Sequence, residues 1–297
     1  MPKVFIIILH WNNLADTLEC LESLEKIDYP NYQVVVIDNG SSKKFPISNF
    51  QFPIKLEVIY NEENLGFAGG NNVGIKYALK QGADYVLLLN NDTVVDEEFL
   101  KELVKAGESD KKIGLLGSKI YFYDEPKRIW FAGGKISPFL IKGAHLGLNE
   151  IDNGQYNRIR NVDYITGCCL LIKRKAIEKI GLLDEDYFLY YEDADWSWRA
   201  QKAGYQCVFA PQAKIWHKCS RGAQEGSPSY IYYHLRNSLL LIQKNGSFFM
   251  RLNAYLMSFG IITKQIIKLI FLPKKRVWAK YILLGIRDFY LGKRGKI

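Results

Sequence analysis

The strongest constraint on the fold is an alternation in the first 110 or so residues. Lys3–Leu9, Val34–Ile37, Leu56–Tyr60 and Asp84–Leu89 are short apolar runs rich in β-branched residues. Between them Leu14, Leu18, Leu21 and Leu24 recur at helical spacing, and Gly70–Gln81 reads as a second helix. A continuous apolar strand is covered on both faces, so strands alternating with helices predict a parallel sheet with helices on either side. In such sheets ligands bind beyond the carboxyl ends of the strands. His10-Trp11-Asn12, Asp38-Asn39-Gly40-Ser41 and Asn90-Asn91-Asp92 each follow a strand. The polar groups fall where the architecture binds ligands.

The second half is less regular. Ile113–Gly117, Lys119–Tyr123, Thr166–Lys173 and Gln206–Phe209 are predicted strands, the last ended by Pro211. Arg174–Ile180, Ala194–Ala203 and Tyr230–Gln243 are predicted helices, and Asp124–Asp163 reads as loops and hairpins over a cleft. Glu192, Asp193 and Asp195 crowd the start of a helix behind Phe188-Leu189-Tyr190. Free N–H groups and the helix dipole favour one carboxylate there. Three so close repel one another and compete for protons, which is how a general base is prepared. One acid to hold a metal, Asp92, and another to take a proton outline a transferase.

The chain has 297 residues, 48% of them hydrophobic, enough for one large core with an appendage. Its net charge of +9 is concentrated at the end, where Asp288 is the one acid between Arg251 and Ile297. Such a tail suits nucleic acid or an anionic membrane. Ile262, Ile266 and Ile270 among Lys264, Lys268, Lys274 and Lys275 fit an interfacial helix, or equally a helical cap. The longest uncharged stretch there, Leu252 to Thr263, falls short of the roughly 20 residues of a spanning helix. Cys20, Cys168, Cys169, Cys207 and Cys219 form no C-x-x-C pair and read as buried, reduced thiols. With no secretory signal recognisable after Met1, a cytoplasmic protein is expected, with peripheral contact at the inner face of the membrane.

The ordered set of motifs resembles the inverting GT-A glycosyltransferases of family 2, in the branch of bacterial rhamnosyltransferases. The matching stretches are His10-Trp11-Asn12, Val36-Ile37-Asp38-Asn39-Gly40-Ser41, Asn64-Leu65-Gly66-Phe67-Ala68-Gly69-Gly70-Asn71-Asn72-Val73-Gly74, Leu89-Asn90-Asn91-Asp92, Glu192-Asp193-Ala194-Asp195-Trp196 and Ile215-Trp216-His217. The resemblance implies a GT-A α/β domain over residues 1–245 with a mainly parallel central sheet, and a basic amphipathic helical region over 246–297. It implies transfer of a sugar, rhamnose from dTDP-rhamnose as the leading reading, from a nucleotide diphosphate donor to an acceptor hydroxyl in surface or cell-wall polysaccharide synthesis.

The resemblance also assigns roles. Asp193 is the base, with Glu192 and Asp195 orienting it or the acceptor. His10, Asn12, Asp38, Asn64, Gly66, Gly69, Asn71 and Asn91 shape the nucleotide-sugar site. Asp38 either receives the imide N–H of uracil or thymine or closes its own turn, and Trp11 either lines the pocket or joins the core. Asn64 to Gly74 reads as a glycine-rich phosphate cradle ahead of the helix at Gly70. Asp92 and His217 are the expected ligands of Mg²⁺ or Mn²⁺, although Asn90 replaces the first acid of the family's Asp-x-Asp. Arg236-Asn237 either reach the diphosphate or make ordinary surface pairs.

Two rivals remain at this stage. A sugar-nucleotide pyrophosphorylase would carry an Arg- and Lys-bearing glycine loop after the first strand, which is absent. A non-catalytic basic scaffold binding membrane or nucleic acid has no need of acids gathered at strand ends. The expected partners are a dTDP- or UDP-sugar and a glycan or lipid-linked glycan acceptor, without nucleic acid.

Overall fold

The computed structural model describes residues 1–46, 53–137, 142–219 and 226–297. The first half runs β1 (Val4–His10), α1 (Leu14–Leu24), β2 (Tyr32–Asn39), β3 (Leu56–Asn61), α2 (Gly66–Lys80) and β4 (Tyr85–Asn90). β1 lies between β2 and β4 and parallel to both, with β3 beyond β2. Successive residues of β1 point to opposite faces. Val4, Ile6 and Ile8 pack with Cys20, Leu21 and Leu24 of α1, whereas Phe5 and Ile7 pack with Ala68, Ile75 and Ala78 of α2. Burying each such large side chain contributes about 1.5–3 kcal/mol. The two-sided burial explains a run with no polar alternation.

Parallel register then fixes who stands beside whom at the strand ends. His10 is level with Asp38, Asp38 with Tyr60, and Leu9 with Asn90. α2 starts at Gly66 rather than Gly70, which corrects the phosphate-cradle expectation. Gly66 has φ +74°, and a Cβ there would lie 2.4 Å from the Phe188 carbonyl oxygen. Further along, a Cβ at Gly70 or Gly74 would lie 2.4 Å from Leu9 or 2.5 Å from Ile7. These glycines bring the helix onto β1. They lie in the helix body rather than in an anion-holding loop.

The second half comprises β5 (Thr93–Val95), α3 (Phe99–Glu108), β6 (Ile113–Phe122), β7 (Ile129–Phe131), β8 (Gly134–Ser137), β9 (Lys142–His145), β10 (Arg160–Asn161), β11 (Cys169–Lys173), α4 (Arg174–Ile180), α5 (Glu192–Lys202) and β12 (Gln206–His217). β11 inserts antiparallel between β4 and β6, and β12 continues the ten-stranded sheet parallel to β6. The two strands predicted around Ser118 are one. Pro211 does not end β12 either, because the register against β6 shifts between Ala210 and Lys214, and such a bulge accommodates a residue with no N–H. The extension matters, since it carries His217 level with Thr93 of β5. β8 and β9 pair apart from the main sheet, and residues 138–141 of that predicted hairpin region lie outside the described residues.

The tail is two helices rather than one stretch. α6 (Pro228–Asn245) is followed by α7 (Phe248–Phe271) and α8 (Arg276–Tyr290), with Pro273 at the break. α8 packs closely on α6, where a Cβ at Gly285 would lie 2.9 Å from the Tyr232 carbonyl oxygen. The Tyr232 hydroxyl donates to Asp288 at 3.1 Å. α7 is long and apolar enough to cross a bilayer by length and composition, which corrects the expectation drawn from Leu252–Thr263. Lys264 and Lys268 interrupt the apolar sequence without interrupting the helix.

Candidate active site

At the ends of β1 and β2 a compact polar network forms. Thr17 of α1 donates to the Asn13 carbonyl at 2.8 Å, so its oxygen is left to accept from His10 Nδ1 at 2.8 Å and Asn91 Nδ2 at 2.9 Å. That fixes the His10 tautomer and leaves Nε2 as an acceptor. Burial lowers the His10 pKa, with the nearby Asp38 charge opposing, so the ring is neutral at pH 7. Thr17 carried no sequence signal. Trp11 is exposed rather than core.

Asp38 is buried, and both its oxygens close the following turn: Oδ1 accepts from Ser41 N at 2.9 Å and Oδ2 from Phe45 N at 2.7 Å. Both readings of Asp38 meet here, because it also borders a cavity of about 280 Å³ lined by Ser41, Lys44, Tyr60 and Asn61. Asn12, at φ 57°, accepts from Ser42 N at 2.8 Å and braces the same turn. Asn64 accepts from Gly66 N at 2.8 Å and from Asn39 Nδ2 at 3.1 Å. Gly69 and Asn71 sit inside α2, where Asn71 donates to the Phe67 carbonyl at 2.9 Å. Asn64, Gly69 and Asn71 shape the helix and its start rather than an anion loop.

Asp92 follows β4, and the β5–β12 pairing delivers His217 to it with Nε2 3.1 Å from Oδ1. Both are buried. Burial alone would lower the His217 pKa, but Cys168 and Asp92 beside it outweigh that and raise it well above the usual range. The Cys168 thiol is itself pushed up by burial and stays neutral, so Asp92 is the charge that counts. Two ligand atoms held in adjacent positions of an octahedral ion at about 2.1 Å stand about 3 Å apart. As the ion pair, Nε2 donates to Oδ1; once the imidazole gives up that proton, the oxygen-and-imidazole donor set and spacing fit a divalent ion. Among the described residues no group of three or more His, Cys, Asp or Glu could hold one alone. The Asn90 side chain adds no charge. Cys219, expected to be buried, is exposed, with Sγ 3.4 Å from His217 Nδ1.

The acidic helix separates its three carboxylates. α5 starts at Glu192, with Tyr191 preceding it in a left-handed conformation and no side chain capping it. Glu192 is buried with Oε2 lacking any partner, and burial followed by the Asp193 charge raises its pKa well above the carboxylate range. Asp193 is half-buried and accepts from Gly167 N at 2.8 Å and Ala194 N at 2.7 Å. Burial also raises its pKa, with those N–H groups opposing. Asp195 is different. It is fully buried, paired with Arg199 at 2.7 Å, and accepts from Asn245 at 2.6 Å and Tyr187 at 3.3 Å. Its oxygens are occupied, so the expectation that it orients the acceptor is corrected to a tie between α5, α6 and the preceding loop.

That loop is strained. Phe188, Tyr190 and Tyr191 have φ of 63°, 69° and 74°, and such residues cost of order 1–3 kcal/mol each unless their surroundings fix them. The surroundings are Arg236 and Asn237 of α6, which are buried rather than paired at the surface. Asn237 Nδ2 lies 2.9, 2.8 and 2.9 Å from the carbonyls of Tyr187, Leu189 and Tyr190. The buried Arg236 donates to the Tyr187 carbonyl at 3.0 Å and to the Gly295 carbonyl at 2.7 Å. One turn joins everything: Gly167 N binds Asp193, and the adjoining Cys168 carbonyl accepts from Asn90 N at 2.9 Å.

The chain is similar to proteins of known family. The family model described as Glycosyl transferase family 2 matches residues 5–181. The chain is 26% identical over 255 residues to the dTDP-rhamnosyl transferase RfbF of Shigella flexneri, covering 82% of this chain and 81% of that one. It is 25% identical over 229 residues to an N-acetylglucosaminyl-diphospho-decaprenol L-rhamnosyltransferase of Mycobacterium tuberculosis, covering 70% and 74%. The mannosyltransferase PcManGT of Pyrobaculum calidifontis, solved with GDP-Man and Mn²⁺, superposes with a TM-score of 0.62 at 14% identity over 99% of this chain and 88% of that one. The fold is GT-A, a mostly parallel central sheet with helices and a C-terminal helical region.

Proposed function

The chain belongs to glycosyl transferase family 2, and from that premise we propose that it transfers rhamnose from dTDP-rhamnose, with inversion, to an acceptor hydroxyl of a surface or cell-wall glycan. The observation that carries the reading is the Gly167–Cys168 turn, which ties the Asp193 carboxylate to the end of β4, just ahead of Asp92 and its partner His217 of β12.

In this reading the pyrimidine enters the cavity beside Asp38, whose lone pairs not used by Ser41 and Phe45 receive the imide N–H. The neutral His10 adds no charge there. Asp92 and His217 hold a divalent ion, Mn²⁺ or Mg²⁺, which when bound neutralises the charge of the departing diphosphate. Asp193 takes the proton of the acceptor hydroxyl as its oxygen bonds to the anomeric carbon. The bond from that carbon to the diphosphate breaks on the opposite face, which inverts the centre. Glu192 keeps its proton, so the charge of the acid pair rests on Asp193. Residues 1–245 do this chemistry, and the helical region from 246 keeps a cytoplasmic enzyme near a lipid-linked acceptor at the inner membrane face.

Thermal shift with UDP, dTDP and GDP, each with and without Mn²⁺, is the decisive first measurement, because bound ligand stabilises by mass action. Stabilisation by dTDP and UDP that needs the metal is expected. Equal stabilisation by GDP, or none by any of them, sinks the reading.

A further inference from the structure

The break between α7 and α8 leaves an unusual surface. Phe271 is 71% exposed and Trp278 57%, with Ile270, Leu272 and Val277 exposed around them. Soluble faces seldom gather large apolar side chains in this way without a partner. Lys274 and Lys275 project from the same break, and no acid occurs between Arg251 and Arg287. The shape is fixed, since Arg276 donates to the Leu269 carbonyl at 2.7 Å and the Ile270 carbonyl at 3.2 Å. An apolar patch ringed by unopposed cations complements an anionic lipid surface, where the rings enter the headgroup boundary and the lysines meet the phosphates.

The position of the patch adds an orientation. The Trp278 ring lies against Gly226, where a Cβ would be 3.3 Å away. Gly226 adjoins Ser227, the N-cap of α6. From that cap, α6 presents Tyr230 and His234, whose rings are 4.0 Å apart, and His234 lies 4.5 Å from Tyr190. Tyr190 belongs to the loop that leads into Asp193. The half-buried rings of Tyr230, His234 and Tyr190 thus lead from the α6 cap beside the patch to the loop before Asp193.

We propose that the α7–α8 break docks on an anionic membrane leaflet with the acceptor side of the cleft facing the lipid, so that the rings of Tyr230, His234 and Tyr190 receive the sugar end of a membrane-anchored acceptor. The acceptor half of this statement rests on the glycosyltransferase reading above; the docking half does not.

The test uses the full chain and vesicles of phosphatidylcholine with about one third phosphatidylglycerol. Co-sedimentation at low salt is expected, weakening with added salt. Lys274→Gln with Lys275→Gln should lower the partition coefficient about 30-fold, from the attraction of each lysine near such a surface. Brominated phosphatidylglycerol should quench native tryptophan emission; Trp278→Phe should lose most of that quenching, and Trp11→Phe should keep it. Calorimetry with dTDP and Mn²⁺ should be unchanged in the lysine and Trp278 variants, which separates docking from the nucleotide site. Failure of dTDP to bind the native chain would remove the glycosyltransferase reading and leave docking standing. No sedimentation at low salt, quenching that depends on Trp11 instead, or a doubled mass in light scattering that Trp278→Phe abolishes without vesicle binding would overturn the proposal.

Discussion

On the side of the cleft formed by β1, β2 and β4, each functional group ends a regular strand and is held by near neighbours. Asp38 accepts from Ser41 and Phe45, and His10 meets Thr17. On the side formed by residues 187–193, the proposed base Asp193 follows three left-handed, non-glycine residues in a loop held from α6, far along the chain. The first side inherits its geometry from sheet register. The second has its geometry imposed by long-range hydrogen bonds, at a cost in backbone strain. A pocket for a rigid, flat base can be built by register alone, whereas a base aimed at one hydroxyl needs finer placement than a helix start supplies.

The largest effect should come from the imposed side. Asp193→Asn should lower turnover by about 100-fold or more while leaving nucleoside diphosphate binding intact. In the native chain turnover should fall as pH drops through the Asp193 pKa, which burial raises, because only the ionised form accepts the proton. Near-normal turnover in the variant, or collapse of nucleotide affinity with it, would erase the contrast between the two sides. On the register-built side, Asp92→Ala and His217→Ala should each weaken metal-dependent dTDP binding on the order of tenfold or more. Calorimetry with and without EDTA reads this, and equal native binding in EDTA would show that the pair holds no ion. Asn237→Ala strands buried carbonyls, so a loss of about 1–3 kcal/mol in stability and a drop in turnover with unchanged dTDP affinity are expected. If dTDP affinity falls as much as turnover, the clamp serves both sides.

The smallest effect concerns Glu192. Its folded pKa is raised above the unfolded value, so between the two the folded state holds a proton that the unfolded state has released. Its contribution is therefore most favourable below the unfolded pKa and declines as pH rises through that window. Glu192→Gln escapes the decline. It should melt about 2–4 °C above the native protein at pH 8 and level with it at pH 4. A lower melting temperature at pH 8 would mean that the carboxylate has a partner when ionised.

The same contrast explains what could be read from residues alone. Strand and helix existence followed from Val4–Leu9, Val34–Ile37 and Tyr85–Leu89, whose periodicity reports burial on two faces. Asp92 drew notice because it follows a strand, whereas His217 came only from the resemblance, since the strand that carries it was expected to stop at Phe209. What remained hidden was non-local. The glycines of Gly66–Gly74 look like an anion loop until Leu9 and Ile7 are seen against them. Pro211 looks like a strand end until the bulge is seen. Asp195 looks like a catalytic partner until Asn245 and Arg199 fill its lone pairs. Arg236 and Asn237 carry no local signature, since their acceptors are carbonyls of any residue that happens to sit in the loop.

One consequence follows from the hydrogen bond between Arg236 and Gly295. Gly295 N also donates to the Asp186 carbonyl at 2.9 Å, and Tyr233 meets the backbone N–H of Ile297 at 3.1 Å. A polypeptide emerges from the ribosome amino end first. The sheet that shapes the cavity beside Asp38 is complete once β12 has emerged, but the brace on the loop before Asp193 waits for α6, α7, α8 and Gly295. During synthesis that cavity thus takes shape before the loop leading to the proposed base is fully braced.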